Sequence, residues 1–293
     1  MSGVNGTTRF GRLLAVVDRE VATVIRTRSY VVLALVYGAI LLALSWTGGE
    51  SGYVPLTVDL LTPVELLVPP LATAFGYRAV LADSAGKEIE ALGTYPLSRL
   101  SYVLGVYLGR LAILLIVVLI PLFVAGLLVP GTGGQGSGVV ASHETAGSIF
   151  LYLRFIVLTA VFAAAVLAAA VAVSTVARTA RAALAFAVVL VIVLLIGADL
   201  GIVAGLAGGI VGEEGLAVVI ASSPNSAFRG LVLGTIVSVV GSETVRAGSA
   251  FANLVGLIGW LIGSLLIAII TVWPNVSEEA WQVVDPDSDE PSE

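Results

Sequence analysis

There is no cysteine in this chain of 293 residues. That removes disulfides, thiolate metal ligands and thiol nucleophiles together. Histidine and methionine are nearly as scarce, His143 and Met1 being the single copies. Almost nothing is left to hold a soft metal, and no metal or cofactor site is expected within the chain. Charge is sparse as well. Asp, Glu, Lys and Arg make up 12% of the residues, against about 25% in an ordinary soluble domain. One lysine stands beside thirteen arginines, and the net charge is −6. Nucleic-acid binding has no electrostatic footprint here. The Gly-rich stretch Gly131–Gly138 has no Lys-Ser/Thr pair after it and no strand before it, so it is no phosphate-binding loop. His143, beside Glu144 in that loop, reads as solvated rather than catalytic. No ATPase site or other enzyme site is legible.

What fills the chain is apolar. The hydrophobic fraction is 58% and the mean hydropathy +1.06. The expected class is an all-α polytopic membrane protein. The N-terminus has no cleavable signal pattern. Six runs are long enough to cross a bilayer, for which about 20 residues are needed. They are Tyr30–Trp46, Leu60–Leu81, Tyr102–Val129, Phe150–Val173, Ala182–Leu206 and Ala252–Trp273. Residues 1–275 form one transmembrane domain, and 276–293 read as an acidic tail without fixed structure.

Pro63, Pro69 and Pro70 interrupt the second run, which is therefore kinked or buried against neighbours. It also holds Glu65. Intramembrane carboxylates face a cavity or a partner. Glu65 is either a structural residue near the outer interface or part of the lining of a path. Ala163, Ala164, Ala165, Ala168, Ala169, Ala170 and Ala172 crowd the fourth run. Ala180, Ala182, Ala183, Ala185 and Ala187 crowd the fifth. Small side chains let helices approach closely, so both are expected as core or dimer-contact helices. In the sixth, Gly259 and Gly263 form a small-xxx-small face. Arg154 and Asp199, near the outer ends of the fourth and fifth, have opposite signs at similar depth and can pair.

Basic residues alternate between loops. Arg9, Arg12, Arg19, Arg26 and Arg28 precede the first run. Arg78, Lys87 and Arg99 surround the second loop, and Arg178 and Arg181 the fourth. The first loop, Thr47–Asp59, and the third, Pro130–Ile149, lack Lys and Arg. This bias puts both termini in the cytoplasm. Arg229 and Arg246, in the long fifth loop, are the exceptions.

Three polar segments stand out. Phe10–Thr27 has Phe10, Leu13, Leu14, Val17, Val21, Val24 and Ile25 at helical spacing. Arg12, Asp18, Arg19, Glu20 and Arg26 lie elsewhere on it. That is the pattern of a helix lying in the membrane interface against lipid headgroups. Asp83–Leu92 reads as a short helix. Asp83 or Ser84 caps it, Glu88 and Glu90 supply charge, Ile89 and Leu92 an apolar edge, and Gly93 and Pro96 end it. A solvated loop that happens to have helical spacing is the alternative. Ala207–Phe251 is too long for a turn. Its short apolar runs, with Ser223 or Asn225 as cap, predict short external or re-entrant helices.

The stretch GKEIEALGTYPLSRLSYVLGVYLGR, together with this topology, resembles the ABC-2 type permeases, the membrane subunits of ABC exporters that carry no ATPase domain of their own. Gly86, Glu88, Gly93, Pro96, Ser98, Arg99 and Gly105 match the family's pattern. The likeness covers nearly the full length, and within the family it is to the NosY-like branch, tied to maturation of a copper enzyme of nitrous oxide reduction. The resemblance implies an interfacial helix at Phe10–Arg28, a cytoplasmic coupling helix at Asp83–Leu92 between spans two and three, and short outer helices at Leu216–Val240. It implies an ABC ATPase partner that binds ATP and Mg, a second permease copy or a related permease, and residence in the plasma membrane. Partner coupling then falls to Asp83, Gly86, Lys87, Glu88, Glu90, Leu92, Pro96 and Arg99. Intramembrane polar roles fall to Glu65, Arg154 and Asp199. With one His and no Cys, any copper handling falls to other proteins. An ion-gradient-driven carrier and a non-transporting scaffold are the other readings.

Overall fold

The computed structural model describes residues 9–47, 52–81, 99–129, 148–208, 216–237 and 249–272. Among them every regular element is helical. In chain order these are α1 (Arg9–Arg26), α2 (Arg28–Thr47), α3 (Tyr53–Gly76), α4 (Arg99–Leu128), α5 (Ile149–Val176) and α6 (Ala180–Ile192). A π-helical turn, Val193–Gly197, joins α6 to α7 (Ala198–Ala207). Then come α8 (Leu216–Ala221), α9 (Pro224–Val232), a second π-helical turn at Leu233–Val237, and α10 (Ala250–Thr271). Six helical stretches among the described residues are long and apolar enough to cross a membrane: α2, α3, α4, α5, the run Ala180–Gly197, and α10.

The bundle is built around α5, which packs on α3, α4, α9 and α10. In its most apolar stretch 72% of residues are buried, against 11% in α2. The alanines explain this. Ala163, Ala165, Ala168 and Ala170 are fully buried, and a helix of small side chains lets several neighbours approach at once. The fifth run does not share that role. Within α6 only Ala183 and Ala187, one turn apart on one face, are buried, with Leu194 in the π-helical turn that follows, while Leu184, Phe186, Val188 and Val189 are exposed.

The second span starts earlier than the hydropathy suggested. α3 begins at Tyr53, so most of the expected loop Thr47–Asp59 is helical. Pro55 falls in its first turn, where a missing N–H costs nothing. Pro63, Pro69 and Pro70 lie inside a continuous helix. Val64, Val68, Leu71 and Phe75 bury one side of it, so packing offsets the lost backbone bonds.

Span direction brings two sets of helix ends together. The ends of α3 and α5 meet the end of α10, where the Thr175 and Thr271 hydroxyls lie 2.7 Å apart. Arg28, Arg78, Arg99, Arg178 and Arg181 belong to this basic end. At the opposite end the Tyr53 and Tyr152 rings are 5.7 Å apart.

Candidate functional site

Among the described residues two polar constructions interrupt the apolar bundle. The first is a collar where the chain leaves α3 at the basic end. Tyr77–Val80 make a turn, with the Ala79 N–H donating to the Gly76 carbonyl. Beyond it the Val80 and Leu81 N–H groups both donate to the Ser174 hydroxyl of α5, at 2.9 and 3.1 Å. Gly76 lies so close to α5 that a Cβ there would fall 2.4 Å from the Ala170 Cβ. Arg110 of α4 completes the collar. Its Nη1 donates to the Phe75 carbonyl and its Nε to Glu20 Oε2 at 2.9 Å. The Phe75 carbonyl belongs to the last turn of α3, where helical donors run out and a cation is favoured by the helix dipole. Glu20, on α1, also accepts from Arg19 at 3.1 Å. Both Glu20 and Arg110 are buried. Gly109 permits the approach, because a Cβ there would lie 2.7 Å from the Glu20 Cβ. Replacing Ser174 with Ala removes the acceptor of two buried N–H groups. We expect about 1–3 kcal/mol of lost stability, read as a lowered unfolding midpoint of the purified protein.

The second construction is a hairpin of two short helices, α8–turn–α9. Ser223 caps α9, its hydroxyl accepting from the Ser226 N–H. Pro224 follows at the first helical position, where its fixed φ suits a helix start. Several clamps on this hairpin come from the middle of neighbouring helices. The Phe228 ring stacks on Phe162, in the middle of α5, with centroids 4.7 Å apart and planes 10° from parallel. The Trp260 indole of α10 donates to the Ser222 carbonyl at 2.7 Å. Gly256 approaches so closely that a Cβ would lie 2.0 Å from the Ala221 carbonyl oxygen. Arg229 meets Glu65, at the midpoint of α3, as a fork: Nη2 to Oε2 at 2.6 Å and Nε to Oε1 and Oε2 at 2.9 and 3.0 Å. Glu65 is buried, while the Arg229 side chain is 48% exposed. Arg154 of α5 donates to the Thr235 carbonyl at 2.6 Å in the second π-helical turn.

The sequence-predicted residues divide accordingly. Asp83, Gly86, Lys87, Glu88, Glu90, Leu92 and Pro96 lie outside the described residues. Arg99 opens α4 and is exposed. Glu65 belongs to the hairpin clamp, and its ionic partner Arg229 is one of the two residues that broke the charge bias of the loops. Arg154 serves the same hairpin from α5. Asp199 is placed in the first turn of α7 but its side chain is outside the described set, so its pairing with Arg154 is not among the described contacts. The small-residue face of the last span shifts. Gly256 is the packed glycine, and nothing lies within 4 Å of a Cβ at Gly259 or Gly263.

Sequence reasoning missed Arg110 and the burial of Glu20. The signal was present, since Arg110 is a lone cation inside a long apolar run and such residues find partners. Glu20 was hidden because α1 was read as apolar on one face and polar on the other. In fact Leu14 and Ile25 are exposed while Glu20 is buried.

Residues 14–273 match a family described as ABC-2 family transporter protein. Among curated proteins, the probable ABC transporter permease protein NosY of Pseudomonas aeruginosa is 30% identical over 153 residues, 47% of this chain and 56% of that protein. Its namesake from Stutzerimonas stutzeri is 28% identical over 118 residues, 38% of this chain and 43% of that protein. The chain thus aligns with about half the length of each relative. With the family match running across nearly all the described helices, the chain belongs to the ABC-2 family of transporter proteins.

Proposed function

We propose that this chain is the membrane permease subunit of an ATP-driven ABC transporter. It would couple hydrolysis on a separate nucleotide-binding subunit to export or to assembly at the membrane. The family match over residues 14–273 carries this reading, and the six apolar helical stretches are in keeping with it. The basic end faces the cytoplasm under the positive-inside rule, which puts both termini there, in the plasma membrane. ATP and Mg belong to the partner subunit.

Residues 82–98 join α3 to α4 at that cytoplasmic end and are the docking segment. Glu88 and Glu90 face basic groups of the ATPase, and Leu92 enters an apolar pocket. Asp83, Gly86, Lys87 and Pro96 shape the segment, and Arg99 starts the helix that leaves it. The collar at Gly76–Leu81 is its root. Ser174 and Arg110 tie that root to α5, α4 and α1, so movement of the segment reaches four helices. Glu65, Arg229 and Arg154 lie where the hairpin meets the spans and, with Asp199 of α7, are the candidate lining of a path. A second copy completes the unit and covers part of the exposed surface of α2, α6 and α10. An ion-gradient carrier would need a mid-span carboxylate free to load and release an ion. The fork from Arg229 holds Glu65 and weighs against that.

The test is purification in mild detergent followed by identification of co-purifying protein. An ABC ATPase is expected, and its absence from every preparation that retains folded permease would reject the proposal. Changing Glu88 and Glu90 to Lys is expected to abolish stimulation of that ATPase by the permease while thermal stability stays within about 0.5 kcal/mol, as for surface substitutions.

A further inference from the structure

Arg110 does more than neutralise Glu20. A buried ion pair seldom adds net stability over well-packed apolar residues, and its best-attested use is to fix register. The elements it joins show what register is fixed. α1 connects to α2 through the single residue Thr27, and α2 is scarcely buried. Leu14 and Ile25 leave part of the apolar side of α1 uncovered. α1 is held at Val24, buried in the core, and by a polar lock at Val17 and Glu20, pressed against Gly109 and bonded to Arg110. The same guanidinium caps the last turn of α3 at Phe75, six residues before the chain passes Leu81 into the docking segment.

We infer that Arg110 is a positioning residue for coupling: it locks α1, α4 and the exit of α3 into one rigid piece, so that force on residues 82–98 moves the N-terminal helix with spans two and three. The inference rests on the permease reading for the source of the force. The lock itself is a property of the chain alone. Arg suits the position because its planar fork serves a carboxylate and a carbonyl together, which a lysine ammonium does less well.

The absence of cysteine gives a clean background for paired spin labels. One label pair, Leu14→Cys with Ile116→Cys, reports α1 against α4. A second, Leu127→Cys with Phe150→Cys, reports the far ends of α4 and α5. All four positions are exposed. In the full chain in lipid nanodiscs the first pair should give one narrow distance. Arg110→Gln and Glu20→Gln should both broaden it, and Arg110→Lys should fall between. In the complex with its ATPase, trapped with Mg-ATP and vanadate, the first distance should stay fixed in the otherwise unchanged chain while the second shifts. In the Gln variants the shifted fraction should drop about tenfold, the scale of a coupling between two sites, while hydrolysis by the partner continues. A Leu14–Ile116 distance that stays narrow in both Gln variants overturns the inference. If Arg110→Gln fails to fold, Glu20→Gln decides, since it keeps its shape and the Arg110–Phe75 bond. A complex without any nucleotide-dependent shift in the second pair rejects the permease reading instead, and the first arm still judges the lock.

Discussion

Replacing Arg229 with Met should destabilise the protein by about 2–3 kcal/mol, whereas Glu65→Met should cost clearly less. The asymmetry follows from burial. Glu65 is 3% exposed at the midpoint of α3. Without the guanidinium its carboxylate stays in an apolar bundle, and such a charge is expensive unless compensated. Arg229 is 48% exposed along its side chain and can swing its charge toward more polar surroundings when Glu65 is lost. That exposure also keeps the loss below the roughly 3–5 kcal/mol typical of breaking a fully buried pair. Removing both charges, as Glu65→Met with Arg229→Met, should recover most of the loss, because a paired charge replaced by apolar side chains is often neutral. The double-mutant cycle, run on thermal or denaturant unfolding in detergent, should give a coupling of about 1–3 kcal/mol. Equal effects of the two single changes, with no recovery in the double, would show that the fork contributes nothing at this site.

Gly256→Val should cost about 3 kcal/mol and loosen the hairpin. Even the first carbon of a side chain would sit 2.0 Å from the Ala221 carbonyl oxygen, with the carbonyl carbon at 2.9 Å. These are backbone atoms, so no rotamer change relieves the clash and α8 must move away from α10. Overpacking of this kind costs about 1–3 kcal/mol. The shift also breaks the Trp260 bond to the Ser222 carbonyl, worth about 1 kcal/mol. Faster hydrogen exchange at residues 220–230 and a lower unfolding midpoint would both report it. Gly259→Ala and Gly263→Ala serve as controls. Open space surrounds a Cβ at both, and alanine favours a helix over glycine by about 1 kcal/mol, so neither should lower stability. A Gly256 variant as stable as these controls would mean the hairpin is not seated against α10.

How much of this was legible beforehand differs by element. The six spans were readable because burial in lipid demands long apolar runs. The N-terminal helix was readable from its spacing, and the Ser223 cap from the turn SSPN. α3 was misplaced by seven residues at its start, because Asp59 and Pro55 look like loop residues on a hydropathy scale. Pro55 is harmless in a first turn and Asp59 is exposed. The candidate site was legible only in its members. Glu65 and Arg154 drew notice as charges in apolar runs. Their partners, Arg229 and the Thr235 carbonyl, are 164 and 81 residues distant, and periodicity carries no information over such separations.

The residue order alone determined class and the number of spans: many long apolar stretches, little charge and no cysteine. Those properties act locally or sum along the chain. Tertiary structure decided which helix became the centre, which glycine was a contact, and which charges met. These depend on what stands opposite each side chain. A buried carboxylate on α1 and a lone arginine in the third span have meaning only as a pair, since either charge by itself would be too costly to keep inside an apolar bundle.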